Sequence, residues 1–212
     1  MNNTVADPSH CPFESGSLIL MPNFLDNNQS DLLLKELTWQ DHWNKGQYTV
    51  AGRQFSMPRL QSWYSDPGIV YNFSYELHKH RLWTPSLVFL KGKIEKTSKA
   101  KFNSVLINWY RNGNDWVDWH SDNEVELGPA PLISSLSLGA TRKFGYVNKQ
   151  SNEMGFVELM NGDLLIMKSS FQKFWKHCIP QDKDIKISRV NLTFRSVIMP
   201  KEPLRNPSFL SK

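Results

Sequence analysis

The chain reads as a mainly β fold (α+β): a double-stranded β-helix, or jelly roll, with helices packed outside it. Three observations predict this. From Phe102 onward, short apolar-rich runs alternate with turn signals such as Asn112-Gly113 and Asn161-Gly162-Asp163, the punctuation of a sandwich or barrel. Helical periodicity lies in the part of the chain before that point. A length of 212 residues, 40% hydrophobic and 12% aromatic, suits one well-packed domain rather than a disordered chain.

The elements follow in order. Ser17–Met21 has the composition of a strand, and after Pro22 a helix begins between Asp26 and Ser30, with Leu33, Leu34 and Leu37 on one face. Residues 46–75 carry Gly52, Pro58, Pro67 and Gly68 between short aromatic-rich runs, which predicts hairpins and loops. Thr84-Pro85 opens a second helix, Thr as cap and Pro in the first turn, with Leu87, Leu90 and Ile94 at helical spacing. Its lysines, 91, 93, 96 and 99, form a solvated face in the simplest reading. Strands are then expected at 102–111, 132–138, 143–147, 155–159, 164–167, 174–179 and 189–198, before an irregular tail beyond Pro200.

Composition excludes several classes. Two cysteines, Cys11 and Cys178, cannot build a secreted disulfide framework. The first residues lack the basic start and apolar stretch of a signal peptide, and no apolar run nears the roughly 20 residues that span a bilayer. The expectation is an intracellular, reduced, monomeric protein without membrane contact, cytoplasmic in a bacterium and nuclear or cytoplasmic in a eukaryote. A net charge of +5 is compatible with a polyanionic partner but does not require one.

The chemistry concentrates in two places. His120 and Asp122, joined by the distant His177, can supply two imidazoles and one carboxylate, the facial triad that holds Fe(II) and leaves three positions open. Zinc would accept the same ligands for hydrolysis. Arg189–Arg195 discriminates: in a strand, Arg189, Asn191, Thr193 and Arg195 share one face, and planar guanidinium forks grip a dicarboxylate. Zinc hydrolysis has no use for that array, whereas an iron- and 2-oxoglutarate-dependent dioxygenase needs it. A solvent face would explain the polar side chains too, but such a face more often carries Lys and Glu. Asn108 and Tyr110 share a face and could close the other end of the carboxylate pocket.

Four segments together, Phe102–Arg111, Trp119–Glu124, Ser134–Arg142 and Arg189–Arg195, resemble the AlkB family of nucleic-acid dealkylating dioxygenases. The likeness is to its eukaryotic DNA/RNA repair branch and similar bacterial proteins. Pro58-Arg59-Leu60 and Trp63-Tyr64 extend it, so that it covers roughly residues 45–200. The resemblance implies one dioxygenase domain over 1–212: an N-terminal strand and helix (1–45), a nucleotide-recognition lid (46–80), a support helix and catalytic jelly roll (81–200) and a tail (201–212). It implies that His120, Asp122 and His177 bind Fe(II). Arg189, Tyr110 and Asn191 would hold the distal carboxylate of 2-oxoglutarate, with Thr193 on the same strand face, and Arg195 and Asn108 would meet its iron end. Arg59, Tyr71, Phe73, Ser74 and Glu124 would contact the target base.

The implied reaction uses O2 to demethylate bases such as 1-methyladenine or 3-methylcytosine in DNA or RNA, releasing formaldehyde, succinate and CO2. In the hairpin read over residues 49–52, a small Ala51 stands where duplex-preferring relatives place a bulky wedge, so a single-stranded substrate is favoured. A hydroxylase of a protein or small molecule, and a non-catalytic reader of alkylated bases, are the other readings.

Overall fold

Strand periodicity and long-range pairing sort most of the strands among the described residues into two antiparallel sheets. The computed structural model describes residues 12–13, 15–40, 43–50, 52–69, 72–73, 76–77 and 81–198, with backbone alone at 48–50, 72–73 and 76–77. In chain order the strands are β1 (Leu18–Met21), β2 (Gln47–Val50), β3 (Arg53–Ser56), β4 (Leu60–Ser65), β5 (Asn72–Phe73), β6 (Glu76–Leu77), β7 (Ser104–Tyr110), β8 (Val117–His120), β9 (Ile133–Gly139), β10 (Arg142–Asn148), β11 (Met154–Leu159), β12 (Leu164–Met167), β13 (Trp175–Ile179) and β14 (Arg189–Arg195). Six form a major sheet in the order β1-β12-β9-β14-β7-β4, and four form a minor sheet in the order β11-β10-β13-β8. β2–β3 and β5–β6 are separate two-stranded hairpins.

Helix α1 (Asn27–Thr38) starts where Asp26 accepts a hydrogen bond from the Gln29 backbone N–H, a cap typically worth about 1 kcal/mol. Helix α2 (Pro85–Ser98) is capped by Thr84, carries Pro85 at its first position and stops at Lys99 in the left-handed region (φ 54°). Both bury the stripe their periodicity predicts: Leu33 and Leu37 from α1, Leu87, Leu90 and Ile94 from α2. These pack on Val105, Ile107, Leu136, Val190, Leu192 and Phe194, one face of the major sheet. A second apolar cluster, including Ile133, Phe144, Leu159, Leu165 and Phe171, fills the space between the sheets.

Four boundaries differ from the expectation. Val117–His120 is a strand, an edge strand that pairs only with β13 across a register shift. Its residues (Val, Asp, Trp, His) have no apolar run to announce it. Ser169–Phe174 is a short helix, α3, which displaces the start of the expected strand from Phe174 to Trp175; six residues are too few to show a helical period. The last strand stops at Arg195 rather than Ile198. Leu60–Ser65, expected within the lid, pairs with β7 and closes one edge of the major sheet. No helix among the described residues is long and apolar enough to cross a membrane. Tyr71, Ser74, Ala51 and the tail 201–212 lie outside the described residues, and Phe73 is placed by its backbone in β5.

The turn after β7 docks onto the loop after β13 through Gly113, whose N–H donates to the Ile185 carbonyl (2.9 Å) and whose carbonyl accepts from Asp182 N–H (2.8 Å). A Cβ at this position would run into the Asp182 carbonyl oxygen. Gly113→Ala therefore forces two backbones apart, and we expect a loss of about 2 kcal/mol or more, roughly 4–8 °C in Tm. Thermal denaturation checks it; an unchanged Tm means the loop is free to move away.

Candidate active site

The site lies between the sheets, built from strands whose pairing brings distant residues together. Across the β8–β13 pair, His120 stands opposite His177, and their rings lie 4.2 Å apart. The chain leaves β8 at His120, so Asp122 sits in a loop that must be held. Ser121 Oγ donates to the Trp175 carbonyl (2.8 Å), Asp122 N–H donates to Gln172 Oε1 (2.9 Å), and Arg195 Nη2 donates to Asp122 Oδ1 (2.6 Å).

The result is a convergent donor set. His120 Nε2 is 3.9 Å from Asp122 Oδ1 and His177 Nε2 is 3.7 Å from Asp122 Oδ2. Both separations lie inside the span of about 4.2 Å that two bonds of about 2.1 Å allow, and all three ligand atoms lie within 4.8 Å of one another. The protonation states suit a metal. Burial disfavours ionisation of Asp122, but Arg195, then His177, His120 and Arg59, hold its carboxyl below the usual carboxylate range. Burial and the neighbouring His120 push His177 down to about 3, with Asp122 opposing, so its imidazole is neutral at physiological pH. His120 Nδ1 is 2.7 Å from the Asp118 carbonyl, a contact that needs a proton on Nδ1 and leaves the Nε2 lone pair for a ligand bond. Phe144 and Phe171 flank the His177 ring at 5.2 and 5.9 Å between centroids.

The arginine strand is buried throughout, so its polar face is no solvent face. Arg189 is 1% exposed; its Nη2 donates to Ser137 Oγ at 2.9 Å and Tyr110 is a second side-chain hydrogen-bond partner of the guanidinium, whose Nε and Nη1 make no short hydrogen bond among the described residues. Burial lowers its pKa to about 10, Tyr110 opposing and Arg142 assisting, which still leaves it charged. A buried cation with two idle donors costs several kcal/mol unless an anion completes it, so the pocket suits a carboxylate. The same cavity is lined by Arg59, Asn108, Tyr110, Asn191, Thr193 and Arg195 and reaches the three ligands. His120 is its exposed corner, 32% open, against 1% for Asp122 and 7% for His177.

Individual residues depart from their expected surroundings. Arg59 is a wall of this cavity, donating to Asn108 Oδ1 (2.9 Å) and the Trp116 carbonyl (3.4 Å). Asn108 Oδ1 also accepts from Gln61 Nε2 (2.8 Å), so its amide nitrogen is the group left to donate elsewhere. Asn191 Nδ2 is committed to Ser135 Oγ (2.7 Å) and the Leu136 carbonyl (3.1 Å), and its Oδ1 accepts from Thr193 (2.9 Å). Glu124 is half-buried, with one oxygen enclosed and without a partner among the described residues. Sequence reasoning missed Gln61 and Gln172, both buried, which fix Asn108 and Asp122. An isolated glutamine carries no motif, so only the folded arrangement, strand pairing for Gln61 and the placement of α3 for Gln172, could reveal them.

Comparison with known proteins agrees with this geometry. A family model described as the 2OG-Fe(II) oxygenase superfamily matches residues 17–195. Alpha-ketoglutarate-dependent dioxygenase alkB homolog 3 of Homo sapiens is 37% identical over 203 residues, 91% of this chain and 70% of that protein. DNA oxidative demethylase ALKBH2 of Mus musculus is 32% identical over 185 residues, 82% of this chain and 77% of that protein. Among solved structures, OsALKBH1 superimposes with a TM-score of 0.57 at 20% identity, covering 85% of this chain and 98% of that one. A Pseudomonas putida prolyl-4-hydroxylase superimposes with a TM-score of 0.58 at 15% identity, covering 85% and 92%, and likewise shares the fold. With the family model over most of its length and alkB homologues at this identity, the chain belongs to the AlkB family of the 2OG-Fe(II) oxygenases, dioxygenases that use Fe(II), 2-oxoglutarate and O2.

Proposed function

We propose that this dioxygenase repairs N-alkylated bases, such as 1-methyladenine and 3-methylcytosine, in single-stranded DNA or RNA. The observation that carries the reading is the single cavity joining a triad of two imidazoles and one carboxylate to a buried guanidinium with donors to spare, in a chain similar to proteins named DNA oxidative demethylases. When bound, Fe(II) and 2-oxoglutarate supply O2 activation: the N-methyl carbon is hydroxylated and leaves as formaldehyde, with succinate and CO2 released.

The chain's own residues arrange that chemistry. His120, Asp122 and His177 hold the metal, and Arg195 keeps Asp122 ionised and aimed. Arg189, with Tyr110, takes the distal carboxylate, while Asn191 and Thr193 hold β14 against β9 through Ser135 and Leu136. Asn108 presents its amide N–H groups to the carboxylate end near the metal, steadied by Arg59 and Gln61. The base enters by the exposed His120 corner, where its ring gives a stacking face worth about 1–3 kcal/mol. Glu124, on the loop beyond Asp122, favours a cationic methylated base electrostatically. By the family resemblance, Tyr71, Phe73 and Ser74 are the candidate contacts to the base from the lid segment. An intracellular, reducing setting fits the free, buried thiol of Cys178.

Strand preference follows from the lid. Between β2 and β3 the sequence carries the small Ala51-Gly52, with Gly52 at φ 76°, and those residue types offer no bulk to fill the gap left by an extruded base. Without that wedge, opening a duplex costs a few kcal/mol unaided. We expect methylated single strands to be repaired at least about tenfold faster than the same lesion in a duplex. Mass spectrometry of methylated single- and double-stranded DNA and RNA oligonucleotides, incubated with protein, iron, ascorbate and 2-oxoglutarate, measures this. Equal rates would refute the strand preference, and no loss of methyl from any oligomer would turn the substrate toward a protein or small molecule.

A further inference from the structure

We infer that Arg142, which does not line the cavity, is a positioning residue for 2-oxoglutarate, acting through Tyr110; the inference rests on the reading of Arg189 and Tyr110 as the carboxylate pocket. Arg142 is 1% exposed at the start of β10, in the sheet opposite Tyr110 and Arg189. Its guanidinium carbon lies 5.6 Å from the Tyr110 ring centroid, and that of Arg189 lies 5.2 Å from the same centroid. One phenol ring is thus held by two buried guanidinium groups, cation–π contacts that strengthen in a desolvated setting. No carboxylate among the described residues is within ion-pair distance of either arginine.

What separates the two is how their N–H groups are used. Arg142 Nη2 donates to the Asp115 carbonyl (2.8 Å) and the Pro180 carbonyl (2.6 Å), and Nη1 donates to the Asn112 carbonyl (3.3 Å). These carbonyls belong to the turn following β7, the strand that ends at Tyr110, and to the residue following β13, the strand that carries His177. Arg142 therefore ties the far ends of both strands to its own and presents its face to the Tyr110 ring. Arg189, by contrast, keeps two donors idle in the cavity. The division of labour is that Arg189 binds and Arg142 holds the ring beside it, so that the Tyr110 hydroxyl is placed before the anion arrives. A neutral side chain at 142 of similar length would remove one of the two guanidinium groups that hold the ring and leave the Asp115 and Pro180 carbonyls without their donor, the Asn112 carbonyl keeping the Asp115 N–H.

The test measures 2-oxoglutarate binding as well as turnover. For wild type, Arg142→Met, Tyr110→Phe, the double variant and Arg189→Met, the 2-oxoglutarate-dependent rise in Tm is titrated with Mn(II) present and O2 excluded. KM and kcat are then measured on a methylated oligonucleotide. Arg142→Met is expected to weaken 2-oxoglutarate binding about tenfold, with kcat and the half-saturating Mn(II) concentration each within about threefold of wild type. A structural role would instead lower Tm and kcat and leave the 2-oxoglutarate midpoint alone. The double variant is expected to bind no more weakly than the weaker single variant; additive losses would mean that Arg142 does not act through Tyr110. If Arg189→Met shifts the midpoint and Arg142→Met does not, the inference about Arg142 fails alone. If neither does, the pocket reading fails and takes it along. Should Arg142→Met not fold, Arg142→Lys carries the same comparison, since one ammonium cannot reproduce the planar fork that bridges carbonyls from two chain segments.

Discussion

Asp122→Ala is expected to reduce demethylation by at least about 1000-fold, some 4 kcal/mol of transition-state stabilisation, to the background of the uncatalysed reaction. The side chain is the only carboxylate among the described residues within reach of both His120 and His177, at 3.9 and 3.7 Å. Its removal takes away one of three ligands and the one anion of the triad. It also removes the carboxylate to which Arg195 Nη2 donates at 2.6 Å, both side chains being almost fully buried. Breaking a buried pair from one side costs about 3–5 kcal/mol, so Asp122→Ala lowers the Tm of the metal-free protein as well. Asp122→Asn separates the two effects: its amide keeps the shape and an acceptor oxygen for Arg195 but loses the ligand charge. The decisive measurement is Mn(II)- or Fe(II)-dependent stabilisation, large for wild type and lost in both variants, alongside formaldehyde release. His120→Ala is expected to match Asp122→Ala in activity while costing less stability, because its side chain is one-third exposed. Iron-dependent formaldehyde release by both variants would place the metal elsewhere.

The triad illustrates what a linear sequence can carry. His120 and Asp122 were legible because two residues of spacing put both within reach of one ion when a strand ends between them. The partner His177 was legible only through its place before the arginine strand. Its actual apposition to His120 depends on pairing between β8 and β13, a contact made across more than fifty residues, and β8 itself has no strand pattern to betray it. β14 was the clearest element, because alternation of Arg189, Asn191, Thr193 and Arg195 with Val190, Leu192 and Phe194 has one structural solution when both faces are buried. The burial of the polar residues of β4 is not legible in the sequence. Gln61, Ser62 and Ser65 look like loop residues, yet all three are buried, and Gln61 turns inward to hold Asn108. The family resemblance places Arg59 in the lid, and nothing in its neighbours reveals that pairing of Leu60 with Trp109 sets it beside Asn108.

That same β14 face separates the two arginines by experiment. Arg189→Met removes a buried fork whose Nε and Nη1 make no short hydrogen bond among the described residues and whose side-chain partners, Ser137 and Tyr110, are both neutral hydroxyls. Losing a desolvated guanidinium–carboxylate contact costs about 2–5 kcal/mol, so the KM for 2-oxoglutarate is expected to rise roughly 30-fold or more. The affinity for metal stays near wild type, because no Arg189 nitrogen bonds a triad residue among the contacts seen. Arg189→Lys keeps a charge but loses the two-pronged geometry, and an intermediate KM is expected. Arg195→Met behaves differently. Its guanidinium is bonded to Asp122 and helps keep that carboxyl ionised, so metal affinity and 2-oxoglutarate KM deteriorate together. Measuring both constants in both variants decides the layout. If Arg189→Met weakened metal binding as much as Arg195→Met, the two ends of the cavity would not be separate sites. If neither changed the 2-oxoglutarate KM, the idle donors of Arg189 would have to serve another anion, and the cavity would lose its claim to the cosubstrate.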